Sequence, residues 1–396
     1  MKRIITLSVL AFFLNGCSEI IPEYIPFSGE PSPENVITVN TVPSIAYDGT
    51  IWSVSDYSRK VYWLKDGEIK SSPIFYNNDW IRGNETVENV FFYMQKNRLV
   101  MHSLDSVVLI ETPIALQNDY YSYSIRATEK NIVLMVSESR IYWVLTETGW
   151  VENNVPANVS DYPLSENYFD EYGRFSDNYI LFAETASIFN LITGEHVTFN
   201  PNFQDEWGSS AYPQFERQCF DQNGNAYGVA GEQLVRLNRE SGTCENIPVN
   251  IPNVNNPQIK QVRVSKNNDI WVVFTDQELT NIYAHKLGSD TFSSTNYWAG
   301  SGFYDHRKLF ADSQGRLWFF DYILEAHSEN GLDLSYEPIP NNFDFYYHNN
   351  HSNTIMKEDE TGAVWFGQID SNSFFLHRYK DGTWTNYSNY FHFESY

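Results

Sequence analysis

Apolar residues in this chain come in short runs separated by polar turns, and no long segment repeats them at the i, i+3, i+4, i+7 spacing of an amphipathic helix. Some runs, such as residues 363–367 (AVWFG) and 269–274 (DIWVVF), are apolar on both faces of a strand, which is typical of strands buried on both sides. Turn pairs of the kind that hairpins use separate many runs. They include Asp48-Gly49, Asp66-Gly67, Asn223-Gly224 and Asp381-Gly382. The pattern predicts an all-β protein.

The pattern also repeats along the chain with a period near 47 residues. In each unit a strand ends, a polar turn follows, and an apolar residue then precedes an aromatic one. The aromatic positions are Trp52, Tyr227, Trp271, Trp318 and Trp365, and the last four are spaced 44, 47 and 47 residues apart. The same spacing places Ile180 and Val133 in earlier units. Val100 falls in a further, compressed unit only 33 residues before Val133.

Each unit continues with further short strands, and four strands in 40–50 residues are typical of a propeller blade. We therefore expect an all-β β-propeller of eight four-stranded blades, or of seven if the compressed unit is not a blade. The expected blades span residues 40–78, 85–118, 121–158, 168–203, 213–250, 258–298, 304–340 and 350–390. For closure we expect either a strand around residues 35–39 on the last blade or residues 391–396 on the first.

The turn sequences resemble a known repeat. Residues Asp312–Trp318 and Asp359–Trp365 have the form Asp-x-x-Gly-x-apolar-Trp, and residues 380–388 (KDGTWTNYS) form a closing Gly-x-Trp-x-x-Tyr strand. This pattern resembles the two-component-regulator propeller repeat and the related streptogramin-lyase-like repeat, over roughly residues 40–390. Blades two to four lack the Asp-x-x-Gly turn. Nothing here resembles the membrane span or histidine kinase of the larger family members, so their signalling role does not transfer.

The N-terminus has the layout of a secretory signal. Lys2 and Arg3 precede the uncharged residues 4–14, a run too short to span a bilayer. Leu14-Asn15-Gly16-Cys17 then resembles the lipobox of bacterial lipoproteins, although Asn15 is less usual there. The resemblance implies a signal peptide over residues 1–16 and lipidation of Cys17. A plain signal peptide with a chance cysteine is the alternative.

In that family, a residue other than aspartate after the cysteine implies sorting to the outer membrane, and Ser18 stands there. The periplasmic and the surface-exposed side both stay open. Residues 17–39 are rich in proline and read as an extended, lipidated tether, and residues 40–396 as the propeller. The lipid is the membrane contact that we expect.

Charge restricts the partners. The chain has 26 Lys and Arg against 50 Asp and Glu, a net charge of −24. Removal of residues 1–16 takes away Lys2 and Arg3 and no acid, which leaves −26. An acidic surface without a basic stripe repels phosphate backbones, so we expect no nucleic-acid partner. An envelope protein, a peptide or a glycan is expected instead, with the protein a monomer.

Few residues suggest chemistry. Asp221, Asp312 and Asp359 begin polar turns, where an aspartate binds its own backbone, so we expect a structural role for each. Cys219 and Cys244 fall on strands too far apart for a disulfide, and we expect two free thiols. The chain has no Gly-x-Ser-x-Gly, phosphate loop or His-Glu-x-x-His motif, and no metal or other cofactor is expected.

Ligands of propellers approach the axis at the mouth where the innermost strands begin. The candidate ligand residues near those starts are Glu216, Arg217, Asp305, His306, Arg307, His348 and His351. Further residues assigned to the strand starts are Glu85, Glu88, Tyr123, Asp170, Glu171, Arg174, Lys260 and Tyr304. Solvated loops and the polar plugs of a water-filled channel are the alternative explanation for both sets, and the one that the sequence favours.

These observations favour a non-catalytic propeller that acts as a binding scaffold on a lipid anchor in the bacterial envelope. The alternative is a lyase or hydrolase with its site at the axial mouth, which requires a histidine and a carboxylate within hydrogen-bond reach. A scaffold for outer-membrane assembly is a third hypothesis, ranked lower because the blades of that kind of lipoprotein follow another motif.

Overall fold

We analysed a computed structural model of the full chain. It describes residues 23–26, 30–31, 36–39, 43–55, 58–74, 81–95, 98–113, 123–127, 131–136, 140–156, 174–176, 178–182, 186–199, 203–204, 210–211, 219–254, 256–275, 281–298, 308–320, 324–336, 354–369 and 374–393. Regular structure in these residues consists of β-strands and one 3₁₀ turn at Ser388–Tyr390. The all-β prediction is confirmed.

Three short strands precede the blades: β1 (Glu23–Pro26), β2 (Glu30–Pro31) and β3 (Ile37–Val39). Blade 1 contains β4 (Ser44–Ile45), β5 (Ile51–Ser55), β6 (Lys60–Lys65) and β7 (Glu68–Pro73). Blade 2 contains β8 (Ile81–Val87), β9 (Val90–Gln95), β10 (Arg98–His102) and β11 (Ser106–Glu111). Blade 3 contains β12 (Tyr123–Ala127), β13 (Ile132–Val136), β14 (Ile141–Thr146) and β15 (Gly149–Asn154). Blade 4 contains β16 (Arg174–Ser176), β17 (Tyr179–Phe182), β18 (Ser187–Asn190) and β19 (His196–Thr198).

A small hairpin, β20 (Phe203–Gln204) and β21 (Ser210–Ala211), lies before blade 5. Blade 5 contains β22 (Ala226–Ala230), β23 (Gln233–Asn238) and β24 (Thr243–Asn246), with the bridge between Phe220 and Ala226 on its inner side. Blade 6 contains β25 (Gln258–Val264), β26 (Ile270–Thr275), β27 (Asn281–Lys286) and β28 (Ser293–Trp298). Blade 7 contains β29 (Lys308–Ala311), β30 (Leu317–Phe320), β31 (Leu324–Ser328) and β32 (Gly331–Tyr336). Blade 8 contains β33 (Thr354–Glu358), β34 (Val364–Ile369), β35 (Phe374–Lys380) and β36 (Thr383–Asn386), and the chain ends in β37 (Phe391–Phe393).

Within each blade, consecutive strands pair antiparallel. The chain forms an eight-bladed β-propeller, as the repeat predicts. The second residue of each second strand is the repeating apolar position, and all eight are at most 5% exposed. These residues are Trp52, Phe91, Val133, Ile180, Tyr227, Trp271, Trp318 and Trp365.

One unit of the repeat was placed wrongly. Val100 lies on β10, the third strand of blade 2, whereas the equivalent of Trp52 is Phe91 on β9. The true spacings around it are 39 and 42 residues, so the unit is not compressed. Glu88 and Asn89 link β8 and β9 in a turn without the Asp-x-x-Gly signature, and Glu88 adopts a φ of 50°. That turn carried no signal to fix the register.

The core is divided among the interfaces between blades. The described residues form eight hydrophobic clusters, one for each pair of neighbouring blades. Blade 7 shows how: Leu317 and Phe319 of β30 face blade 6, whereas Trp318 and Phe320 face blade 8. Because side chains alternate along a strand, an apolar second strand supplies both interfaces. Each blade therefore needs a neighbour on both sides.

Closure combines both predicted segments. β3 pairs with β37 in parallel, from Ile37 with Phe391 to Val39 with Phe393. Neither segment adds to a blade as an ordinary fourth strand. Ile37 and Phe391 instead enter the cluster between blades 8 and 1, where Phe391 contacts Phe374 with ring centroids 5.0 Å apart. The two ends of the propeller are held by each other.

The expected tether over residues 17–39 differs from the structure. β1 pairs with β11 on the outer edge of blade 2, and β2 pairs with β7 on the outer edge of blade 1. Exposed strand edges offer unpaired amides and carbonyls, and these segments use them. Composition rich in proline predicted free chain, yet two-residue and four-residue pairings are compatible with proline at an edge. Cys17 and residues 1–22 lie outside the described residues.

Hydrogen bonds between turns join neighbouring blades on one face of the ring, where first strands lead into second strands. We call this the turn face, and the opposite face, where first strands begin, the mouth face. Among the described residues, the pairs that join consecutive blades through these turns are Asn131–Asn178, Gln222–Asn268, Asn267–Ser313, Ser313–Glu358, Glu360–Tyr47 and Tyr47–Glu88. Hydrogen bonds on the turn face thus join six pairs of neighbouring blades: blades 3 and 4, and each pair from blade 5 through blade 8 to blade 2.

Because Phe391 belongs to the cluster that closes the ring, we expect loss of its side chain to lower stability strongly. We expect Phe391→Ala to lower the free energy of unfolding by about 3 kcal/mol, because the ring is buried in the cluster that joins the last blade to the first. His392→Ala is the matched control, since His392 is the exposed neighbour on the same strand. Urea unfolding followed by tryptophan fluorescence measures both. Equal effects of the two variants would contradict this account of closure.

Candidate functional site

The seven candidate ligand residues of the mouth lie outside the described residues. These are Glu216, Arg217, Asp305, His306, Arg307, His348 and His351. Asp170, Glu171 and Tyr304 lie outside them too. Their assignment to a ligand site stays a prediction.

The strands that lead from the mouth are described. Tyr123 and Arg174 begin β12 and β16, as expected, and Lys260 is the third residue of β25. Two assignments were wrong: β8 begins at Ile81, so Glu85 lies well inside the strand and Glu88 lies in the turn at its far end. The missing turn signature in blade 2 explains this error as well.

An ion pair holds Lys260 at the boundary between blades 5 and 6. Its Nζ lies 2.5 Å from Oε1 of Glu232, in the turn between β22 and β23. The Lys260 side chain is 7% exposed and that of Glu232 43%. The lysine therefore links two blades near the mouth face.

A second cation joins the innermost strands of three consecutive blades near the turn face. Lys357 of β33 donates from Nζ to the carbonyl of Ile45, at 2.6 Å, and to Oγ1 of Thr86, at 3.0 Å. Thr86 in turn donates to the Ile45 carbonyl, and Ser44 donates to Thr86. Residues of blades 8, 1 and 2 meet in this cluster. It reinforces the seam at which the ring closes.

Arg263 has an equivalent place in blade 6. Its side chain is buried, and Nε donates to the carbonyl of Leu309 in blade 7 at 3.1 Å. Nη1 donates to the carbonyl of Val262. Arg263 and Lys357 both lie two residues before the residue that begins the polar turn. Long cations at this position connect one innermost strand to the next.

The turn aspartates each bind their own turn. Oδ1 of Asp312 accepts from the amides of Gln314 and Arg316, and Oδ2 accepts from Trp318 Nε1 at 2.8 Å and from Arg316 Nε at 2.7 Å. Asp312 has no exposed surface. One carboxylate therefore fixes the turn and satisfies the buried indole of the repeat. These contacts use its two oxygens within one blade.

The other two aspartates bind in the same way. Asp359 accepts from Trp365 Nε1 at 3.0 Å, and Asp221 accepts from the hydroxyl of Tyr227 at 3.3 Å. Burial opposes ionisation of Asp359, but hydrogen bonds from Thr361, Trp365 and Arg378 outweigh it and leave its pKa below the ordinary value. Its contribution to stability is therefore present above about pH 4 and is lost as the pH falls through the lowered pKa.

Two of the four blades that have a tryptophan at the repeat position depart from this arrangement. Ser265 occupies the aspartate position of blade 6, and its Oγ accepts from the amides of Asn267 and Asp269. Ala46 occupies it in blade 1. In the described residues, Nε1 of Trp271 and Nε1 of Trp52 have no acceptor. A hydroxyl thus replaces the first carboxylate oxygen but not the second.

A serine, a histidine and a glutamate meet between blades 6 and 7. Oγ of Ser293 lies 2.7 Å from Nδ1 of His327, and Nε2 of His327 lies 3.2 Å from Oε2 of Glu325. The order of groups is that of a hydrolase triad. However, Ser293 is 5% exposed and the other two are fully buried. No substrate carbonyl could reach Ser293 unless the blades separated, so the group joins blades rather than forming an open active site.

Sequence reasoning missed this cluster because Ser293 and His327 are distant in the chain. Glu325 and His327 do share one face of β31, since strand side chains alternate. A buried polar pair at this spacing was the available signal. Only the packing of β28 against β31 brings Ser293 to it.

The prediction that no disulfide joins Cys219 to Cys244 is confirmed. Cys219 is buried and Cys244 is half-buried, and no bridge joins them. Burial, with the nearby Glu245 carboxylate, raises the pKa of the Cys244 thiol to about 11. The thiol is therefore protonated at neutral pH and is a poor nucleophile.

His102 lies in an aromatic environment between blades 1 and 2. Its ring stacks on Tyr93, with centroids 5.7 Å apart, and lies 6.1 Å from Trp52 and 6.5 Å from Phe91. Burial lowers the pKa of His102 to about 3. The imidazole is neutral in the folded protein over the physiological range.

Within the described ranges, no group of three or more His, Cys, Asp or Glu residues has the geometry of a metal site. No helix found in that part of the chain is long and apolar enough to cross a membrane.

Comparison with known proteins finds distant structural likeness only. No family model and no curated protein matches the chain. Among solved structures, virginiamycin B lyase from Staphylococcus aureus, solved with quinupristin, is 13% identical, covering 76% of this chain and 96% of that one at a TM-score of 0.38. BamB from Moraxella catarrhalis is 10% identical, covering 88% and 100%, at 0.42. YCF48 bound to D1 peptide is 10% identical, covering 77% and 93%, at 0.40. A likeness of this degree assigns no activity, ligand or partner to this chain, and the propeller fold rests on the strand pairing described above.

The turn aspartates predict a graded response at Asp312. We expect Asp312→Ala to cost about 3 kcal/mol of unfolding free energy, because buried donors lose their acceptor. Asp312→Ser should cost about 1 kcal/mol less, because the Ser265 hydroxyl accepts from both turn amides in blade 6. Urea unfolding compares the variants. If serine were no better than alanine, the role assigned to the turn amides would be wrong.

The buried imidazole predicts acid sensitivity. A histidine in the unfolded chain takes up a proton near pH 6.5, whereas folded His102 does so only near pH 3. The group therefore favours unfolding increasingly as the pH falls, by about 2–3 kcal/mol between pH 6.5 and 4.5. His102→Phe should remove that part of the slope, measured by urea unfolding at both pH values. The exposed His392→Phe is the control and should keep it, and an unchanged slope in His102→Phe would refute the assignment.

Proposed function

We propose that this protein is a lipid-anchored, non-catalytic β-propeller that serves as a binding scaffold in the bacterial envelope, sorted to the outer membrane. The proposed role as a scaffold rests on the closed ring of eight blades, in which each interface between blades has its own buried cluster. Such a ring is a rigid scaffold of the kind on which connecting loops carry binding residues. The lipobox-like residues Leu14–Cys17 support the anchor.

The described polar clusters support the non-catalytic half of the proposal. The ion pair of Lys260, the cluster at Lys357 and the group at His327 each connect neighbouring blades. The lyase or hydrolase alternative finds its nearest match in the Ser293–His327–Glu325 group, whose burial speaks against it. The repeat motif resembles those of the two-component-regulator and streptogramin-lyase-like propellers. In this proposal the protein shares their fold and not an activity.

The ligand site belongs at the axial mouth in this proposal, with Glu216, Arg217, Asp305, His306, Arg307, His348 and His351 as its residues. The net charge of the mature chain, −26, favours a partner that is neutral or basic. An envelope protein, a peptide or a glycan fits, and nucleic acid does not.

One experiment tests anchor and binding together. We expect the wild-type protein to fractionate with the outer membrane and Cys17→Ser to appear in the soluble periplasmic fraction, because the thiol that carries the lipid is gone. Cys244→Ser is the matched control and should stay with the membrane. Soluble Cys17→Ser protein then serves as bait in an envelope extract, alone and with His306→Ala and His348→Ala.

The mouth variants should lose captured partners, whereas Asp381→Ala, on an exposed turn of blade 8 at the turn face, should retain them. Membrane fractionation of Cys17→Ser would contradict the anchor. Identical capture by the mouth variants and by Asp381→Ala would contradict a site at the mouth.

A further inference from the structure

The first described strand fixes where the N-terminal segment meets the ring. β1 lies on the outer edge of blade 2, with Glu23 opposite Leu109 and Pro26 opposite Ser106. β2 adds a second attachment on the outer edge of blade 1, with Glu30 opposite Ser71. The parallel pair of β3 and β37 is a third. The described strands β1, β2 and β3 therefore attach the N-terminal part of the chain to the ring at three places.

Strand direction shows from which face the chain arrives. β11 begins next to the turn at residues 103–105, on the turn face, and runs toward the mouth face. β1 is antiparallel to β11, so Glu23 lies nearer the mouth face than Pro26 does. The end of β1 to which the preceding segment is joined therefore lies toward the mouth face.

The remaining length is short. Cys17 and Glu23 are six residue steps apart, and a fully extended chain spans about 22 Å over that distance. A free tether over residues 17–39 would have reached about 80 Å. Opposite rims of the ring are separated by more than about 29 Å, because three steps of about 4.8 Å separate the four strands on each side of the axis and the central channel adds to that distance. The segment from Cys17 to Glu23, which we call the short linker, is therefore shorter than the diameter of the ring.

We propose that the rim of blade 2, at its mouth-face end, is the surface that faces the membrane, and that the phospholipid bilayer is its partner. The propeller then stands on its edge with blade 6, four blades away, directed outward. This inference rests on the lipid anchor at Cys17 of the proposed function. Edge-on mounting leaves the mouth open sideways, so that a ligand reaches it along the membrane plane.

Energy transfer from the ring to the bilayer tests this orientation. The full-length lipidated protein is placed in vesicles of phosphatidylethanolamine and phosphatidylglycerol that carry a headgroup acceptor dye. A donor dye is attached at Asp105→Cys of blade 2 or at Asp290→Cys of blade 6, in a Cys244→Ser background that keeps buried Cys219. Both positions are exposed turns between third and fourth strands on the turn face, which makes them a matched pair.

We expect energy transfer from Asp105→Cys to exceed that from Asp290→Cys at least about twofold. The short linker holds the rim of blade 2 near the bilayer, and the rim of blade 6 is then a ring diameter away. Insertion of about 20 Gly and Ser residues between Ile21 and Pro22 should abolish the difference while the lipid is kept. Ile25→Pro, which disrupts the pairing of β1, should reduce it.

The outcomes separate the two proposals. Vesicles that fail to float any variant would overturn the lipid anchor. Protein that floats but transfers equally from the two positions, or more from Asp290→Cys, would overturn the edge-on orientation and leave the anchor standing. If the difference in energy transfer persisted after the Gly and Ser insertion, something other than the short linker would orient the ring. That result would also overturn the inference.

Discussion

Mutual burial of the blades is the constraint on which the structure depends. The second strand of each blade sends alternate side chains to both neighbours, as Trp318 and Phe319 do on β30. A blade with only one neighbour would expose one apolar face, at a cost of about 25 cal/mol for each Å² left in water. The sheet stack can satisfy all its members only by closing on itself. The pairing of β3 with β37 and the cluster around Ile37 follow from that need.

Polar groups that this burial traps are satisfied locally. An indole forced into an interface needs an acceptor, and Asp312 and Asp359 provide one from the preceding turn of the same blade. Ser265 and Ala46 replace the aspartate in blades 6 and 1, and there the indole N–H has no acceptor in the described residues. Burial of the ring outweighs the missing hydrogen bond. The repeat thus tolerates a missing polar contact more readily than a missing apolar side chain.

The same logic separates scaffold from site. Buried polar clusters such as Ser293–His327–Glu325 contain reactive residue types, yet they lie where no substrate has access. A site for a ligand needs residues that blade packing does not use. The pairing of β1 with β11 places Glu23 on the outer edge of blade 2. The orientation proposed at the membrane follows from that position.

The sequence by itself determined the blade architecture, because both-sided burial leaves an apolar and aromatic signature at a regular spacing, from Tyr227 to Trp365, that packing cannot hide. Turn chemistry added the roles of Asp312 and Asp359. Blade 2 was misplaced because its turn at Glu88 has no such signature. Only the tertiary structure decided where residues 23–39 pair and how Ser293 meets His327. Both depend on strand edges and on faces that meet far apart in sequence, and neither leaves a local pattern in the chain.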